Sequence, residues 1–213
     1  MNVVPSALPR RRGRPPKDAS GGYAETRALL IRTGLSVLTE KGYSSVGIDE
    51  ILRAVAVPKG SFYHYFPSKE SFGRVLIAEY SDYFARKLDR HFLNAASPPL
   101  QRLRNFIEDA RQGMAKHGFR RGCLVGNLGQ EMAVLPESFR SLLVDVLGDW
   151  QQRMERCLQE AQKAGEIAPA LDCAYLASFF WIGWEGAVLR AKLEHRPDAL
   201  DTFASGFFRL LEC

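Results

Sequence analysis

A chain of 213 residues with 46% hydrophobic content is long enough to bury a core in one or two domains. Its net charge of +5 is unevenly placed: residues 1–70 hold 11 Lys and Arg against 6 Asp and Glu, whereas residues 71–213 hold 18 of each. A local basic surface of this kind points to a polyanionic partner. No apolar run approaches the roughly 20 residues of a membrane span, and arginines and prolines stand where a secretory signal needs an apolar stretch. The expectation is a cytoplasmic protein with no membrane partner. The four cysteines, Cys123, Cys157, Cys173 and Cys213, form no CxxC pair and have no histidines at ligand spacing. Free thiols are expected, one of them reactive, with no metal and no cofactor.

The first 22 residues are rich in Pro, Arg, Gly and Ser and lack hydrophobic periodicity, which makes them a basic arm. Within it, Arg12-Gly13-Arg14-Pro15 resembles the core of an AT-hook, an extended segment whose arginines sit in a narrow minor groove. A tail that merely aids solubility is the alternative.

From Ala24 the pattern is helical almost to the end. Leu30, Ile31, Leu35 and Leu38 share one face before Lys41-Gly42 stops the first helix. Ile48, Ile51, Leu52 and Val55 give a short second helix, with Ser44 or Ser45 placed to cap it. Pro58 opens a third, to about Tyr65, and Ser68 opens a fourth that runs to about Phe92. Breaks rich in Pro and Gly divide the remainder into helices near 98–116, 122–133, 137–164, 172–193 and 198–211. No stretch alternates long enough to form a strand. The predicted fold is all-α with about nine helices: an N-terminal helix-turn-helix unit over 23–70 and a helical ligand-binding and dimerisation domain over 71–213.

The stretch PKGSFYHYF, residues 58–66, places lysine, glycine, serine, histidine and tyrosines within three helical turns. That composition suits a helix lying against phosphates and base edges, the last helix of a helix-turn-helix. Residues 26–72, and above all VPKGSFYHYFPSKE, resemble the DNA-binding domain of TetR-type repressors. The resemblance implies a double-stranded DNA operator contacted by Lys59, Ser61, Tyr63, His64 and Lys69. Lys59 is placed to reach a guanine edge or a phosphate, Gly60 to let the backbone approach, and Ser61 to bond without holding the helix away. Phe62, Tyr65 and Phe66 are expected in the core. Two positions depart from the family pattern. Ala56 stands where glycine is usual, at a cost of about 1 kcal/mol if the turn needs positive φ. Gly47 replaces a threonine, leaving any phosphate contact there to the backbone, Ser44 or Ser45.

One reading helix covers only a few base pairs, so a homodimer on a palindrome is expected. Its interface is assigned to the last two helices, through Tyr175, Leu176, Phe179, Phe180, Ile182, Val188 and Leu189 and through Phe203, Phe207, Phe208 and Leu211, with Gly183 and Gly186 admitting a partner helix. The same resemblance implies a small-molecule inducer. The stretch RRGCLVGNLGQEM, residues 120–132, is similar to a branch of the family that senses small unsaturated carboxylates such as acrylate, or electrophiles. Cys123, Asn127 and Glu131 fall four apart, on one expected inward face. Arg120 and Arg121 are placed to lower the thiol pKa and hold a carboxylate, Asn127 to orient the ligand, and Trp181 and Trp184 to close an apolar pocket. The alternatives are a thiol enzyme pairing Cys123 with His117, which no triad spacing supports, and a non-inducible architectural DNA-binding protein. No catalytic residue is assigned.

Overall fold

A computed structural model of the chain describes residues 19–212, with side chains from residue 22. Among the described residues there are nine helices and no strand: α1 (Ala19–Lys41), α2 (Ile48–Ala54), α3 (Lys59–Tyr65), α4 (Lys69–Phe92), α5 (Pro99–Ala115), α6 (Leu124–Gln130), α7 (Ser138–Lys163), α8 (Cys173–Glu194) and α9 (Asp198–Leu211). Arg12 and Arg14, and the minor-groove role expected of them, lie outside the described residues, as does Cys213.

The first helix starts at Ala19, five residues before the pattern turns apolar, so the expected arm boundary at residue 22 falls inside α1. Tertiary contact overrides the weak helix propensity of Gly21-Gly22. The Tyr23 hydroxyl donates to the His64 carbonyl at 3.2 Å, and its ring lies 4.7 Å from that of Tyr65. The first turns of α1 are thereby seated on the end of α3.

The α2–α3 turn needs the conformation that glycine usually supplies. Ala56 adopts φ 53° there, so the alanine carries the left-handed strain expected of it. The expected serine cap on α2 is corrected: Gly47 is the N-cap without a side-chain bond, and the Ser45 hydroxyl instead donates to the Lys41 carbonyl at 2.6 Å, closing the end of α1. Ser68 does cap α4, its hydroxyl accepting from the Ser71 N–H at 3.0 Å. Phe62 and Phe66 are buried with Phe72 of α4, ring centroids 4.6–5.4 Å apart, and form the floor on which α3 stands.

Helix α4 belongs to both halves. Its first turns pack on α1, where Phe72 and Leu76 meet Gly34, and on α7, where Gly73 meets Phe139, and the helix also packs on α5. Helix α8 packs on α7 and α9, and α6 is a short strut wedged between α1 and α7. The strut ends at Gln130, three residues earlier than its sequence pattern suggests, because Glu131 leaves the helix as its C-cap.

Candidate functional site

Helix α3 presents a polar face to solvent. Tyr63 is 56% exposed, His64 is exposed, Ser61 is half-buried, and an added Cβ on Gly60 would meet nothing within 4 Å. The Lys59 ammonium pairs with Asp49 of α2 at 2.9 Å, both side chains mostly in water. Such a pair is readily exchanged for a phosphate. Lys69 is held differently from expectation. Its ammonium donates to the Tyr43 carbonyl at 2.9 Å and sits 4.3 Å above the Tyr43 ring, and burial lowers its pKa. In this conformation it braces the α1–α2 turn rather than projecting into solvent.

The three groups spaced along α6 do not share one inward face, which corrects the sequence reading. Asn127 and Glu131 turn toward α1. The Asn127 amide donates to the carbonyls of Leu38 and Thr39 near the end of α1 at 3.1 and 2.9 Å, joining the N–H groups of Gly42 and Gly122 that those carbonyls also accept. The Glu131 carboxylate accepts from the backbone N–H of Tyr43 at 3.0 Å and of Ser44 at 2.7 Å. Gly42 makes this grip possible: it adopts φ +83°, and a Cβ there would lie 1.9 Å from a Glu131 oxygen. A shallow pocket of about 360 Å³ opens beside the grip, lined by Lys41, Asn127, Glu131, Leu189, Lys192 and His195 among others.

Cys123, at the N-cap of α6, faces the opposite way, into the larger domain. Its thiol accepts from the Gly126 N–H at 3.5 Å and meets the Glu185 carboxyl of α8 and the Tyr80 hydroxyl of α4. The Glu185 carboxylate lies close over α6, since a Cβ on Gly126 would stand 2.1 Å from it. Burial pushes the Glu185 pKa up to about 7. Burial, and then the Glu185 charge, raise the thiol well above its ordinary range. The lowered thiol pKa expected from Arg120 and Arg121 is therefore not found: Arg120 is exposed, Arg121 half-buried, and neither acts on the thiol.

Around this polar trio stands an aromatic wall. Trp181 and Trp184 are each 2% exposed, and Trp150 of α7 is wholly buried. Trp150 lies 4.3 Å from Phe84 and 5.0 Å from Trp181, while Trp184 stacks on Phe180 at 5.6 Å. Sequence reasoning missed Tyr23, Tyr80, Trp150 and Glu185. Glu185 had a signal: it is the one charged side chain between Cys173 and Leu189.

Part of the expected interface is internal core. Leu176, Phe180, Val188, Phe207, Phe208 and Leu211 are buried within the chain, and Gly183 makes room for Phe203 of the same chain, to which a Cβ would come within 2.1 Å. What α8 leaves open is a stripe of Tyr175, Phe179, Ile182, Leu189 and Leu193, with Gly186 in its line.

Comparison with known proteins agrees with this geometry. Residues 30–72 match the bacterial regulatory proteins, tetR family, and residues 99–207 match the tetracyclin repressor-like C-terminal domain. The transcriptional regulator AcuR of Cereibacter sphaeroides is 56% identical over 98% of this chain and 95% of its own length. The HTH-type transcriptional repressor DhaR of a Mycobacterium species is 34% identical over 87% of this chain and 91% of its own. A crystal structure of a regulatory protein TetR from Rhodobacter sphaeroides superposes with a TM-score of 0.84 at 60% identity, covering 85% of this chain and 96% of that one. With a helix-turn-helix at one end and a matching C-terminal domain at the other, the chain belongs to the TetR family of transcriptional regulators.

Proposed function

We propose that the protein is a homodimeric repressor that binds an inverted-repeat operator and is released by a small carboxylate. Two copies of α3 enter successive major grooves, with Lys59, Gly60, Ser61, Tyr63 and His64 toward the DNA. Lys69 and Ser45, now bonded to Tyr43 and Lys41, hold the turn behind them and reach phosphate only by exchanging those bonds. The open apolar stripe of α8, from Tyr175 to Leu193, supports pairing through α8 with α9 beside it. The DNA-binding unit is taken as residues 23–70 and the sensor and dimerisation domain as 71–213, with α4 common to both.

The observation that carries this reading is the two-sided placement of α6. One end, at Cys123, touches the polar trio inside the sensor domain; the other, at Glu131, holds the turn between α1 and α2. A ligand that displaces Glu185 or Cys123 shifts α6, and Asn127 and Glu131 carry that shift to α1 and so to the spacing of the two α3 helices. Ligand then favours a spacing that no longer fits successive grooves. The inducer's pocket is assigned to Cys123 with Trp181 and Trp184. Since burial keeps the thiol protonated, non-covalent capture of a short unsaturated acid such as acrylate suits it better than thiolate attack.

Selection of random duplexes on the purified protein, followed by footprinting, tests the reading. Two protected half-sites about one helical turn apart are expected, with protection lost on adding acrylate. A single half-site, or no enriched sequence, contradicts it.

A further inference from the structure

The sensor domain holds two hydrogen-bond donors that no acceptor among the described residues uses. The indole N–H groups of Trp150 and Trp181 are buried and have no acceptor among the described residues. Orphan donors in a dry interior are costly and seldom kept without a task. They come from facing helices, α7 and α8, with ring centroids 5.0 Å apart. Both rings pack on Phe84, at 4.3 and 6.1 Å, and Trp150 also meets Tyr80, at 6.5 Å.

Tyr80 links this pair to the trio at α6, since its hydroxyl meets the Cys123 thiol. Tyr80 and Glu185 are hemmed in by protein yet keep some water-accessible surface. Burial is the main influence on both Tyr80 and Glu185, and no lysine or arginine acts on either. This interior is therefore aromatic and carries two indole N–H groups, a phenol, a thiol and the Glu185 carboxyl. Its fitting guest is a small molecule that brings paired oxygen acceptors and a short hydrocarbon tail.

We propose that a short monocarboxylate enters from the Tyr80 side and places its two carboxyl oxygens against the indole N–H groups of Trp150 and Trp181, its hydrocarbon end against Phe84. This rests on the reading of the chain as a ligand-released repressor and names the atoms that receive the ligand. Because both N–H groups are closed off in the packing described here, the guest must part α7 from α8. Glu185 rides on α8 against Gly126, so that parting is delivered to α6.

The test uses the full-length protein with propionate, which cannot alkylate a thiol, and acrylate. Trp150→Phe and Trp181→Phe keep the aromatic bulk and delete only the N–H. Calorimetric titration should show each variant binding propionate about tenfold or more weakly than the parent, the worth of one hydrogen bond to a charged oxygen. In the parent protein, the two indole N–H cross-peaks, assigned from the spectra of the variants, should move downfield on saturation with propionate. That readout stands even if a variant folds poorly. Propionate binding with both cross-peaks unmoved, or with parent-like affinity in both variants, overturns the assignment while leaving ligand-released repression intact. Absence of binding by either acid to the parent protein overturns the assignment and the carboxylate inducer together.

Discussion

The Glu131 carboxylate and the Tyr43 backbone N–H meet at 3.0 Å across 88 positions of sequence, and the neighbouring Ser44 N–H completes a two-pronged grip at 2.7 Å. Hydrogen bonds to a charged acceptor contribute about 1.5–3 kcal/mol each when partly shielded from water. Glu131→Ala should lower unfolding free energy by about 2–3 kcal/mol in urea titrations. It should also raise the ligand concentration needed to release operator, because the strut loses its hold on the reading unit. Release at the parental concentration would show that the grip is structural only.

Gly42 sits under that grip. Alanine there meets both the left-handed strain of φ +83° and the Glu131 oxygen 1.9 Å from the new Cβ. Gly42→Ala should cost about 2 kcal/mol or more in the same titration, and adding it to Glu131→Ala should cost less than the sum of the two. Strict additivity would separate the two effects.

The exposed tyrosine of α3 has little burial to lose. Tyr63→Ala should leave the thermal midpoint within a degree or two and weaken operator binding by about tenfold. Lys59→Ala should flatten the salt dependence of binding by about one unit of log–log slope. Lys69→Ala differs from both, because it also removes the brace on the Tyr43 carbonyl, so it should lower stability along with affinity. An unchanged gel-shift titration for Tyr63→Ala contradicts the docking of α3.

Glu185 has a raised folded-state pKa, about 7 against an ordinary 4.5. Between those values the folded chain binds more protons than the unfolded one, so this group makes stability fall as pH rises from about 4.5 through about 7. Glu185→Gln should therefore gain on the parent progressively across that window and keep a constant lead above it. Parallel stability curves for parent and variant would place the ionisation elsewhere.

On α8, Ile182 is 72% exposed and Leu193 77% exposed, both on the open stripe. Ile182→Glu should convert the dimer to monomer at micromolar concentration, seen by light scattering, since an unpaired carboxylate would be buried at the contact. A dimer that survives Ile182→Glu and Leu193→Glu together moves the interface off α8.

The helix pattern was legible because helix boundaries are local. Ser68, Pro58 and the Pro and Gly breaks mark their own positions, and Ala56 announced its positive φ by standing where glycine is usual. The reading helix was legible for the same reason, its chemistry being packed into nine consecutive residues. What spacing could not say is which neighbour a helix face meets. Asn127 and Glu131 are regularly spaced from Cys123, yet they close on α1 while Cys123 opens on α8. The early start of α1 depends on Tyr23 reaching His64, and the aromatic wall on Trp150 reaching Trp181, both contacts between distant segments. In α8, apolar on nearly every side, the pattern could not divide core from interface, so buried Phe180 and exposed Ile182 looked alike.

The central claim, that ligand in the sensor domain governs the grip of α3 on DNA, is tested most directly by fluorescence anisotropy on a selected inverted-repeat duplex with and without saturating acrylate. The account predicts that acrylate weakens operator binding by about tenfold or more in the parent protein, and by much less in Glu131→Ala. Unchanged operator affinity in parent protein shown by calorimetry to be saturated with acrylate would contradict it.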